Sequence, residues 1–139
     1  MAITLIDSSS WIHSLRPDGE VSVAGRVRAL IESGEAAWCP MVRLELWGGA
    51  QGSHERDVLR EMERSLIELP IDDEVWHQAC LLMARARQGG KTVPATDALI
   101  VACARRHGVG VEHADRHFAL LMALDVWVKG DGKRVTSDE

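Results

Sequence analysis

The chain has too few cysteines for a disulfide framework and no apolar run long enough to cross a bilayer. Its three cysteines, Cys39, Cys80 and Cys103, cannot all pair; none belongs to a Cys-x-x-Cys motif, and each has apolar neighbours. They read as reduced, buried thiols of a cytoplasmic protein. The longest apolar stretch is closed by Arg105-Arg106, so no membrane association is expected. No basic segment precedes the N-terminal apolar stretch, so no secretory signal is expected either. Positive charge is not in excess. The formal net charge of −5 excludes a protein coated in basic residues. It leaves open an enzyme of nucleic acid, because metal ions neutralise an acidic site while local arginines hold phosphates. Lysine is scarce beside arginine. That suits bidentate phosphate contacts, although GC-rich genomes produce the same bias. Also missing are a P-loop, an HExxH helix and a Ser-His-Asp order.

What is present fits one domain. A chain of 139 residues with 46% apolar content buries a real core. Ile3–Ile6 is short, apolar and β-branched, as a buried strand is, and a short helix follows from about Ser10. Val21–Ser33 has a helical apolar face at Val23, Val27, Leu30 and Ile31, with Gly34 as its stop. Ala36–Cys39 is a second strand, ended by Pro40. Met41–Trp47 is helical. His54–Leu66 is a charged amphipathic helix, apolar at Val58, Leu59, Met62 and Leu66. Leu69–Ile71 is a connector, and Asp73–Gln88 a helix stopped by Gly89-Gly90. Pro94–His107 is a nearly all-apolar helix, which implies burial. Val109–Val111 is a strand, Phe118–Leu124 helical and Val126–Val128 a last short strand. The domain is expected over 1–130, followed by a polar tail over 131–139 that frays. Alternation of this kind implies a parallel sheet with helices on both faces, and ligands bind outside the carboxyl ends of such strands.

Four acids stand at places that this organisation brings toward one point. Asp7 ends the first strand and Asp115 follows the strand at 109–111. Asp97 lies near the start of the apolar helix, and Glu45 lies among apolar neighbours in Val42–Trp47. Carboxylates that converge without partners repel, and one is forced to keep its proton. A hard divalent cation such as Mg²⁺ or Mn²⁺ removes that problem, because it prefers oxygen ligands. The pattern therefore points to metal-dependent phosphate chemistry.

The residues also resemble a known family. Asp7-Ser8-Ser9-Ser10-Trp11-Ile12 is similar to the opening motif of PIN-domain ribonucleases: an Asp, a hydroxyl residue two positions on, then an apolar residue. Glu45 in Val42–Leu46 resembles their second acidic motif. Pro94–Ala102, with Asp97, resembles the third and is the most specific. Ala114-Asp115-Arg116-His117-Phe118 resembles the fourth. The likeness runs from Ile3 to about Val128, and the small size is most similar to VapC-type toxins of toxin–antitoxin pairs. One position departs: His113 stands where the family often has Thr or Ser, and would have to serve as a hydrogen-bond donor there.

The resemblance implies an α/β fold, a three-layer α/β/α sandwich around a mostly parallel sheet. It implies an Mg²⁺-dependent endoribonuclease, with Mn²⁺ as a substitute. Asp7 and Asp97 would be direct ligands, Asp115 a ligand directly or through water, and Glu45 the group that positions or deprotonates water. Ser9 would hold a carboxylate or water by hydrogen bond. Expected partners are RNA, a small cognate antitoxin and a second copy of the chain. Val58, Leu59, Met62 and Trp47 are candidates for the dimer face. Trp11 and Trp47 are candidates to line the antitoxin groove.

Each residue alone has a plainer reading. Asp7 and Asp115 suit turns or helix caps, Asp97 favours a helix N-terminus, and Glu45 suits an exposed helix face. Ser9 is a cap residue. Arg43, Lys91 and Arg116 are solvated surface positions. His113 and His117 could look like a metal pair, but no regular helix spans them. Trp11 and Trp47 suit packing better than base stacking. The order of all four acids favours the site. Other functions remain: a housekeeping PIN nuclease of RNA maturation, a non-catalytic RNA-binding PIN-like domain, and a phosphoacceptor module. The last needs a second acid where Ser8 stands. A dehalogenase-like phosphatase needs Asp where Ser9 stands.

Overall fold

The computed structural model describes residues 2–124, together with the backbone of two short strands at 126–127 and 134–135. Four parallel strands form the central sheet in the order β3-β2-β1-β4. They are β1 (Thr4–Ile6), β2 (Ala36–Trp38), β3 (Ile67–Glu68) and β4 (Gly110–Glu112). Thr4 pairs with Ala36 on one side and with Gly110 on the other. The chain moves from β1 outward to β2 and β3, then returns to place β4 on the far side of β1. Between β1 and β4 the strand order reverses, and that is where open α/β sheets bind ligands.

Seven helices are present among the described residues: α1 (Ser8–Leu15), α2 (Val21–Glu32), α3 (Pro40–Gly49), α4 (Gly52–Ser65), α5 (Asp73–Gln88), α6 (Ala95–His107) and α7 (Arg116–Met122). α1 packs on α2, while α5, α6 and α7 form a second group and α3 touches α1, α4 and α6. The result is the expected three-layer α/β/α architecture. The core is one cluster that includes Leu5, Ile6, Trp11, Trp38, Leu82, Ile100 and Phe118. α6 is buried from Asp97 through Ala104, which explains its lack of an amphipathic pattern: a helix apolar all round lies inside. Gly108, at φ 67°, ends it in the left-handed conformation.

Several boundaries differ from the sequence reading. α1 begins at Ser8 rather than Ser10, because Asp7 caps it. Gly48 and Gly49 continue α3. β3 occupies Ile67–Glu68, just before the expected connector. Cys80 is exposed, while Cys39 and Cys103 are buried as expected. Val126–Trp127 pairs antiparallel with Arg134–Val135 in a separate ribbon and does not join the central sheet. Val128 and most of the expected tail lie outside the described residues. Arg134–Val135 is a strand. No helix among the described residues is long and apolar enough to cross a membrane.

Candidate active site

Asp7 follows β1 and caps α1. Its Oδ2 accepts from the Ser9 N–H at 3.0 Å and from the Ser9 hydroxyl at 2.6 Å, while its own N–H extends the sheet by donating to the Glu112 carbonyl. Its other oxygen, Oδ1, is buried and has no hydrogen-bond partner. The cap reading and the site reading are therefore compatible, since each uses a different oxygen. Ser9 does more than cap. Its Oγ also accepts from the Ala114 N–H at 3.0 Å, so one hydroxyl ties the β1 end to the loop that carries Asp115.

Asp97 lies in the first turn of α6. α6 runs back along the sheet before entering β4, so its N-terminus lies at the carboxyl edge of the strands. Asp97 is 8% exposed, and its Oδ2 is a second buried carboxylate oxygen without a hydrogen-bond partner. Burial pushes its carboxyl up to about 6, and the charges of Asp7, Asp115 and Glu45 act in the same direction; His117 opposes them. The four acids thus share one electrostatic environment. Glu45 is half-buried on α3, and its Oε1 accepts from the Ser8 hydroxyl at 2.9 Å. Burial raises its pKa above the usual carboxylate value, the Ser8 hydrogen bond opposes the rise, and the Asp7 charge adds to it.

Asp115 caps α7, with Oδ1 accepting from the His117 N–H at 2.9 Å. The His117 ring folds back over the same site. Its Nδ1 lies 2.9 Å from Asp115 Oδ1 and 3.7 Å from Asp97 Oδ2, although it is not aligned to form a hydrogen bond. As the lack of a regular helix across them implies, His113 and His117 do not act as a pair, and His117 instead stands with Asp97 and Asp115. His113 precedes α7 and stacks on Phe118 at 5.1 Å between ring centroids. Its Nδ1 has no hydrogen-bond partner.

The donor set fits a hard divalent cation. Two buried carboxylate oxygens without hydrogen-bond partners are costly unless something positive meets them, and a third carboxylate with an imidazole lies beside them. One ligand atom each from Asp97, Asp115 and His117 fall within 4.8 Å of one another. Sequence reasoning missed Ser8, which holds Glu45, and passed over His117. The signal for Ser8 was its place in a serine triplet after Asp7. The signal for His117 was its position two residues past a capping Asp.

Other expectations change. Trp11 is 1% exposed and belongs to the core, so it lines no groove. Trp47 is partly buried, donates to Glu63 at 2.9 Å and lies under Arg60. Leu59 and Met62 are buried in the core, which removes them from the expected dimer face. Arg43 is partly buried and pairs with Glu68 at 2.8 Å, whereas Lys91 and Arg116 are exposed as expected. Of the four acids, Glu45 lines a cleft with Ile12, Leu15, Arg16, Leu46, Gly49 and Glu55.

Comparison with known proteins agrees with this geometry. Residues 4–122 match the family model described as PIN domain. A VapC ribonuclease of Mycobacterium bovis and ribonuclease VapC11 of Mycobacterium tuberculosis are each 33% identical over 124 residues, 86% of this chain and 92% of theirs. Two solved structures share the fold. VapC20 of Mycobacterium tuberculosis, titled a sarcin-ricin loop cleaving toxin, has a TM-score of 0.66 at 18% identity, over 84% of this chain and 93% of that one. VapBC-5 of the same organism, from a family of toxin–antitoxin systems, has a TM-score of 0.63 at 23% identity, over 87% and 91%. With its motifs in order and its sheet carrying them at the strand-order reversal, the chain belongs to the PIN-domain family.

Proposed function

We propose that the chain is a Mg²⁺-dependent endoribonuclease, active also with Mn²⁺, and the toxin of a toxin–antitoxin pair. The observation that carries this is the pair of buried, unpartnered carboxylate oxygens, Asp7 Oδ1 and Asp97 Oδ2, at the end of a parallel sheet. The names of the VapC relatives support the substrate and the biological role.

Asp7, Asp97 and Asp115 are the residues that hold the cation. When bound, it lowers the pKa of coordinated water and offsets charge on the scissile phosphate. Ser9 orients Asp7 and ties it to the Asp115 loop. Ser8 orients Glu45, whose raised pKa suits a group that takes a proton from attacking water. A housekeeping role in RNA maturation uses the same chemistry and differs only in its partner.

The cleft that includes Ile12, Leu15 and Leu46 offers apolar contacts to an antitoxin helix. Glu45 forms part of that cleft, so an antitoxin Arg seated there would reach the carboxylates and compete with the cation. A second copy of the chain would cover the apolar surface of exposed Leu44 and Trp76. They border a cavity of about 300 Å³ with Pro40, Met41, Ile71 and Leu99.

The test is to express the chain and its Asp7→Asn variant and map cleavage sites across total RNA. The proposal expects discrete new ends with the native chain and none with the variant. Equal cleavage patterns from both would refute it.

A further inference from the structure

We propose that His117 is a nitrogen ligand of the divalent cation, coordinating through Nδ1 beside Asp97 and Asp115. The inference rests on the cation site proposed above and deepens it: it concerns which metal the site selects. Three observations converge. The Nδ1 atom is buried and lacks a hydrogen-bond partner, and it lies 2.9 Å from one carboxylate oxygen and 3.7 Å from another. The second of these, Asp97 Oδ2, belongs to a residue that is 8% exposed and has no donor of its own. Finally, the backbone holds the ring there. Asp115 caps α7 by accepting from the His117 N–H, so ring and carboxylate are fixed by the same turn.

A buried imidazole nitrogen facing two carboxylates has two uses. It can carry a proton between them, or it can present a lone pair to a cation. Coordination requires the neutral ring with its proton on Nε2. His113 is not part of this cluster: the ligand atoms that converge are those of Asp97, Asp115 and His117, while the His113 ring stacks on Phe118.

The consequence is a change in metal preference. A site of carboxylates alone suits Mg²⁺, which takes oxygen ligands and gains little from nitrogen. One imidazole raises affinity for Mn²⁺ and the later divalent metals relative to Mg²⁺, because they accept nitrogen more readily. The chain is therefore expected to bind Mn²⁺ more tightly than Mg²⁺, with His117 as the cause.

The experiment is electron spin-echo envelope modulation on the full-length protein loaded with Mn²⁺, before any RNA is added. The native protein is expected to show ¹⁴N modulation that changes to the ¹⁵N pattern with ¹⁵N-histidine. His117→Gln should abolish it, and His113→Gln should keep it. In parallel titrations His117→Gln should weaken Mn²⁺ binding on the order of tenfold and Mg²⁺ binding less. Bound Mn²⁺ without nitrogen modulation in the native protein, or modulation that survives His117→Gln, would overturn the assignment while leaving the carboxylate site standing. Failure of Mn²⁺ to bind at all would overturn the cation site and His117's role together.

Discussion

Asp97 sits where its charge is costly, because burial and three neighbouring carboxylates all oppose ionisation. An ionisation displaced from 3.8 to about 6 is a penalty on the order of 3 kcal/mol in the metal-free protein. Well below 3.8 the carboxyl is protonated in both folded and unfolded chains and contributes nothing. Between 3.8 and about 6 the folded chain keeps a proton that the unfolded chain has lost, so stability falls as pH rises. Above about 6 the full penalty persists. Asp97→Asn should therefore melt higher than the native chain at neutral pH without metal, on the order of 5–10 °C. The gain should shrink toward about pH 4, and added Mg²⁺ should no longer raise the melting temperature. A variant that melts lower than the native chain at every pH would contradict this. At the residue scale, the acids were legible because their types and spacing survive as a pattern. Ser8 and His117 were not, since a serine after a capping Asp and a histidine in a short helix are common. Only the turn geometry at Asp7 and Asp115 brings them to the site.

α1 depends on a tight approach at its C-terminal side. Gly19 lies so close to His13 that an added Cβ would fall 2.0 Å from the His13 carbonyl oxygen. The next N–H, from Glu20, donates to His13 Nδ1 at 3.0 Å. Gly19→Ala must push the α1–α2 turn away from α1, and the expected loss is roughly 1–3 kcal/mol, as in overpacked cores. Urea unfolding measures it, and an unchanged midpoint would show that the turn shifts freely. At this scale α5 and α6 were read nearly to the residue, because Asp72 caps the first, Pro94 precedes the second, and a glycine stops each. β3 was missed for a physical reason. It is two residues long, pairs through its backbone, and leaves Ile67 and Glu68 exposed, so no alternating burial marks it. The expected dimer helix was misread for the opposite reason: α4 is strongly amphipathic, but Leu59 and Met62 use its apolar face inside the molecule.

At the scale of the whole molecule, Leu44 (64% exposed) and Trp76 (56% exposed), on α3 and α5, are open apolar side chains that border one shared cavity. A second copy that buries this surface should give a dimer in sedimentation at about tens of micromolar, a range in which weak dimers still form. Trp76→Glu should shift it toward monomer without lowering the melting temperature of the fold. A native monomer at that concentration would reject the interface. The layered fold was legible in the alternation of strands and helices. The separate ribbon at 126–127 and 134–135 was not, because a short apolar strand near the end of a chain reads equally well as one more strand of the main sheet. The acids at the end of β1 and the start of α6 are expected to hydrolyse RNA with a divalent cation. The most direct measurement is cleavage of an end-labelled RNA by the purified chain, with Mg²⁺, with EDTA, and with Mg²⁺ after Asp97→Asn. Discrete cleavage is expected in the first case only; cleavage that survives EDTA or Asp97→Asn at the native rate would rule out a metal-dependent site at these acids.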